Sequence, residues 1–172
     1  MKKLMLMLVL SLTCTLSYAN ITSCQSEKYH QYVDASLNWY QALVDITRED
    51  NPSLADVGQW FLQGRQTHFY FNRTAVDWYL QHAPSELKTH LPIESWLDLS
   101  QEKIKALANS EHPLSQDAQV VYTLRQQQAH EQNYALRSAF ADLLSTPTKI
   151  EVPLSAYNDA MASLALTSCQ NK

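Results

Sequence analysis

Apolar residues recur along this chain at spacings of three and four. Over 23–49, Tyr29, Val33, Leu37, Tyr40 and Val44 form one stripe, which Tyr32, Trp39, Leu43 and Ile46 widen. That spacing predicts an amphipathic α-helix with a broad buried face. Asn51-Pro52 ends it. A second helix is predicted over 53–82, with Ser53 as its cap and Asp56 at capping-box offset. Gly58 and Gly64 fall inside this helix. Each weakens a helix by about 1 kcal/mol relative to Ala, so each implies a kink or the close approach of another backbone. Phe69-Tyr70-Phe71 is the stretch open to a locally extended reading, because aromatics favour strands.

Pro84 to Pro92 reads as a connector with one turn at 85–88, followed by a short helical piece over 93–97. Ser100 is placed to cap a helix ending at Leu107 or Ala108, with Lys103 and Lys105 outward. Beyond Pro113, Ser115 is expected to cap one long helix over 116–144. Pro147 and Pro153 are expected to bracket a loop. A last helix over 154–168 turns Tyr157, Ala160, Met161 and Leu164 inward. The pattern predicts an all-α fold, an up-and-down bundle of about four main helices plus one or two short ones.

Composition supports the helical reading. Only two glycines occur, whereas β-rich folds need many glycine turns and phosphate-binding loops need clustered glycines. The N-terminus adds an address. Lys2-Lys3, an apolar run over 4–12 and Ser17-Tyr18-Ala19 make the three parts of a secretory signal peptide, so 1–19 is expected to be removed near Ala19, leaving one helical domain over 20–172. The alternative, lipidation at Cys14, fits poorly because Thr13 stands where a small residue is required. The expected location is the periplasm or the secreted space. No later stretch approaches the roughly 20 apolar residues of a membrane span.

Signal removal leaves Cys24 and Cys169, one at each end of the chain. An even count in an oxidising compartment predicts a disulfide between them. The terminal helices should then lie side by side and antiparallel. The formal charge is −4, and two charges more negative once Lys2 and Lys3 leave. That acidity argues against a nucleic-acid partner.

No motif names a reaction. His130-Glu131 lacks the second histidine of a zinc-protease helix. Glu27 to His30 is a single Glu-x-x-His, where a di-iron bundle needs two plus further glutamates. Glu94-Ser95 resembles a dipeptide of helical lytic transglycosylases but lacks their glycine-rich continuation. No metal site and no cofactor are expected. Two regions carry candidate binding chemistry. Trp60, Arg65, His68, Tyr70 and Arg73 belong to an aromatic-rich segment interleaved with arginines, the residue types that anchor protein interfaces. Arg125, Gln128 and Gln132 form a polar interruption in the expected long helix, an alternative site for a small ligand. The leading functional expectation is a non-catalytic interaction module for another exported protein, such as an inhibitor or immunity-type protein. A small-ligand or metal-binding bundle comes second, and an enzyme with an unfamiliar helical site third.

Overall fold

A computed structural model describes the backbone of residues 2–169 and the side chains of residues 21–169. The expected export segment, 1–19, lies outside the residues described in full. Among the described residues there are six α-helices and no strand: α1 (Lys2–Asp50), α2 (Ala55–His82), α3 (Gln101–Ala108), α4 (Ser115–Gln126), α5 (Asn133–Leu144) and α6 (Pro147–Leu166). No helix among the described residues is long and apolar enough to cross a membrane.

α1 and α2 form an antiparallel hairpin. Near its closed end, Val44 stands 3.1 Å from where a Cβ on Gly58 would lie. In the middle, Tyr40 meets Phe61 and Tyr32 meets Phe69, at 5.7 and 6.0 Å between ring centres. At the open end His30 reaches Asp77 at 2.8 Å. The predicted stripe is the buried one: Tyr29, Val33 and Val44 are almost wholly covered, and Leu37 and Tyr40 pack against that core. Phe69-Tyr70-Phe71 is helical, with Phe69 and Phe71 buried and Tyr70 exposed.

α6 runs back along α1. Lys149 pairs with Asp50 at 2.7 Å, Trp39 packs on Tyr157 at 6.0 Å, and Lys28 donates to the Thr167 carbonyl at 2.7 Å. Cys24 and Cys169 are joined, with Cα atoms 5.6 Å apart and a sequence separation of 145. The terminal helices are therefore adjacent and antiparallel, as expected. The connector after α2 is held down by Leu87, Ile93 and Trp96, all buried, and Trp96 Nε1 donates to the Leu91 carbonyl at 2.9 Å. Its 3₁₀ turns are Pro84–Glu86 and Ile93–Ser95.

Several boundaries differ from the sequence expectation. α1 starts at Lys2 rather than near Ser23, because Leu and Met in the preceding segment are strong helix formers. Ser53 does not cap α2. It lies in a 3₁₀ turn, Pro52–Leu54, and Leu54 occupies the cap position without a side-chain bond. Ser115 likewise falls inside α4, after Leu114 at the cap. Ser100 does cap α3, accepting from the Lys103 N–H at 3.2 Å. Pro153 lies within α6, which begins at Pro147, so the expected loop between the two prolines is helix.

The largest correction concerns the long helix over 116–144, which is two helices, α4 and α5, separated by 127–132. α4 descends antiparallel to α2, with Ala118 and Val121 in one core with Phe71 and Ala75. From there α2 offers only about 30 Å of length, whereas a straight helix from Ala118 to Leu144 would need about 39 Å. The chain turns instead. Leu136 then packs on Leu54 and Val57, and Leu143 reaches Leu43 on α1. The polar run Gln126 to Gln128 supplies no apolar side chain to hold a helix against its neighbours, so the turn falls there.

Candidate functional site

The turn between α4 and α5 opens a cleft against α2. His130 fixes the turn: its Nε2 meets the Asp56 carboxylate at 3.1 Å, its Nδ1 accepts the Gln132 N–H at 3.2 Å, and its ring lies 5.8 Å from Trp60. The cleft measures about 390 Å³. Trp60, Phe61 and Leu124 supply apolar wall, while Arg65, Arg125 and Arg137 come from three different helices. Gly64 also borders it, and a Cβ added there would meet nothing within 4 Å.

The cationic groups are held without carboxylates. The Arg65 guanidinium lies over the rings of Phe61 and Tyr40, at 5.0 and 5.2 Å, a favourable cation–π arrangement. Arg125 donates to Gln101 Oε1 and to His68 Nδ1, each at 3.0 Å. Among the described residues, none of Arg65, Arg125 and Arg137 forms an ion pair. Burial, then Arg125, then Arg65 push the His68 imidazole down to about 4. His68 is thus neutral at pH 7 and accepts from Arg125 through Nδ1, leaving its proton on Nε2. That nitrogen faces the Asn72 amide at 3.3 Å. An Asn72 amide turned to present Oδ1 accepts this proton, and it satisfies an oxygen otherwise buried without a partner. Burial, then Arg65, lower Arg125 from its ordinary value.

The two regions singled out in the sequence meet in this cleft, but only in part. Trp60, Arg65 and His68 from the first region and Arg125 from the second line it together. Tyr70 and Arg73 do not. Tyr70 is 49% exposed elsewhere on α2, and Arg73 turns to α1, where it pairs with Asp34 and donates to the His30 carbonyl at 3.1 Å. Gln128 is exposed in the turn and Gln132 half-buried at its end, while their neighbours Gln127, Ala129 and Asn133 border the cleft. Sequence reasoning missed Arg137, which sits on α5, and Gln101, which orients Arg125 from 24 positions upstream. Neither carries a local signal.

No protein-family model, no curated protein and no solved structure matches this chain. Its geometry has to carry the functional reading alone.

A second cluster has the residue types of a hydrolase triad. Ser26 Oγ donates to Asp77 Oδ1 at 2.6 Å, and His30 Nε2 meets Asp77 Oδ2 at 2.8 Å and Ser26 Oγ at 3.5 Å. The arrangement cannot relay a proton. A triad histidine takes the serine proton on one ring nitrogen while the acid holds the other. Here one nitrogen faces both partners, and the serine proton is already given to the carboxylate. The cluster locks the open end of the α1–α2 hairpin. Among the described residues, no group of three or more His, Cys, Asp or Glu side chains gathers as a metal site would require.

Proposed function

We propose that this chain is an exported, non-catalytic binding protein, an interaction module that engages another exported protein through the cleft between α2, α4 and α5. The observation that carries the reading is the cleft itself. Three arginines without acidic partners converge beside Trp60 and Phe61 in a protein whose overall charge is negative. Arg and Trp are the residue types most often found at the energetic centre of interfaces. Ion-paired arginines would have their charge already spent, and these three have it available.

The test is affinity capture. The oxidised mature chain is immobilised and exposed to native exported proteins from the same source. The expected result is one partner in near-stoichiometric amount, lost when Trp60 or Arg65 is changed to Ala while the circular-dichroism spectrum is unchanged. Equal capture by wild type and both variants would move the interface elsewhere on the molecule. A small-ligand carrier is the second reading, favoured by one observation: a concave site of about 390 Å³ falls in the size range of small-molecule pockets.

A further inference from the structure

We infer that the cleft is a seat for an oxyanion, a carboxylate or phosphate group, carried on a flat apolar body that lies over Gly64 between Trp60 and Leu124. This deepens the preceding reading and rests on the cleft being the working site. Three independent features of the cleft point to that chemistry.

The first is orientation. Arg125 is fixed from two sides by neutral acceptors, His68 Nδ1 and Gln101 Oε1. Arg65 is fixed by two aromatic faces. Neither arrangement neutralises a guanidinium, and both leave donors for a planar oxyanion, which arginine binds bidentately. Arg137 adds a third cation from α5. The second is electrostatic. Arg65 disfavours the charge of Arg125, and both disfavour that of His68, so the cleft holds like charges together with no counter-charge of its own. A bound oxyanion relieves that repulsion. Low-dielectric walls around one sign of charge also focus the field on an arriving anion.

The third is Gly64. Glycine inside a helix is unfavourable relative to Ala. At Gly58 the approach of Val44 accounts for it. At Gly64 no packing neighbour does, because an added Cβ would meet nothing within 4 Å. What the missing methyl leaves open is the cleft. A bare stretch of helix beside Trp60, Phe61 and Leu124 suits a flat apolar group better than a hydrated ion.

Isothermal titration of the oxidised mature chain at pH 7 and low salt tests this with 3-phenylpropionate, phenyl phosphate and the uncharged 3-phenylpropionamide. Binding of either anion, with the amide weaker by on the order of tenfold or more, is the expected result. Arg137→Gln, on the exposed face of α5, should weaken the anion without changing the melting temperature, and Arg125→Gln should weaken it as well. The His68 resonance should titrate at higher pH in the anion-saturated protein than in the free one. Equal binding of anion and amide, or no anion binding at all, overturns the inference. The two readings fail separately. Anion binding with no captured partner leaves the inference standing and replaces the interaction module with a carrier. A partner captured equally by wild type and Arg125→Gln, with no anion bound, keeps the module and removes the oxyanion seat.

Discussion

Gly58 and Gly64 lie on the same helix, and a methyl group added to each meets opposite surroundings. At Gly58 the new Cβ would stand 3.1 Å from Val44 Cγ1. Valine in a helix keeps essentially one rotamer and cannot swing aside. The helix gain of about 1 kcal/mol is then outweighed by overpacking of about 1–3 kcal/mol. Gly58→Ala should lower stability by up to about 2 kcal/mol, and Gly64→Ala should raise it by about 1 kcal/mol, both read from urea unfolding midpoints. The sequence shows that both glycines need a reason, and it offers close approach or a kink. Only the partner across the hairpin reveals that the first has a packing reason, and that the second has none within the fold and opens onto the cleft instead. His68 gives a pH signature at the same scale. Its folded value of about 4 lies below the ordinary 6.5, so the unfolded chain takes up the proton more readily than the native one. The stability tied to neutral His68 is complete above about pH 6.5 and is lost as pH falls toward 4. Thermal melts at pH 7 and pH 5 should therefore show a larger drop for wild type than for His68→Gln, whose amide oxygen can still accept from Arg125. Equal drops would mean that the site is open enough for water to solvate the imidazolium.

At the scale of elements, apolar periodicity marks α1, α2 and α3 well, since each has one buried stripe and a clear stop. It fails between α4 and α5. Val121 and Leu136 are both buried, and a single helix can keep both near one face, so the pattern alone does not expose the break. The deciding quantity is the length of α2, which limits how far a neighbour can descend. Prolines mislead in the opposite direction at α6. Pro147 occupies the first helical position, where its missing N–H costs nothing. Pro153 sits in the interior and leaves the Lys149 carbonyl without its helical donor. The long contact of α6 with α1 outweighs this loss. Pro153→Ala should stabilise the protein by ~2 kcal/mol, about 3 kcal/mol from the interior helix position less up to about 1 kcal/mol from the freer unfolded chain. A calorimetric melt measures it, and no gain would mean that α6 is already relaxed around the proline.

For the molecule as a whole, the disulfide was legible because, with the segment bearing Cys14 expected to be cut off, Cys24 and Cys169 are left with a single pairing. The cleft was legible only in halves. Arg125 and His68 are 57 positions apart, and no spacing rule links them. Their meeting depends on the α4–α5 turn, which the helical pattern conceals. Closing a loop of 145 residues restricts the unfolded chain by up to about 5 kcal/mol. Cys24→Ser with Cys169→Ser should lower stability by a sizeable part of that, with the helical circular-dichroism spectrum retained at 25 °C. An unchanged melting temperature would mean that the α1–α6 packing alone holds the ends together.

The same bond turns almost the whole described chain into a covalent ring. A protease that cuts the exposed turn at Gln127 or Gln128 opens the backbone once, yet the fragment bearing α1 to α4 and the fragment bearing α5 and α6 remain tied through Cys24 and Cys169. On a non-reducing gel the nicked protein runs as one species and separates only after a thiol is added. The turn that shapes the cleft can thus suffer a first cut without the two pieces parting.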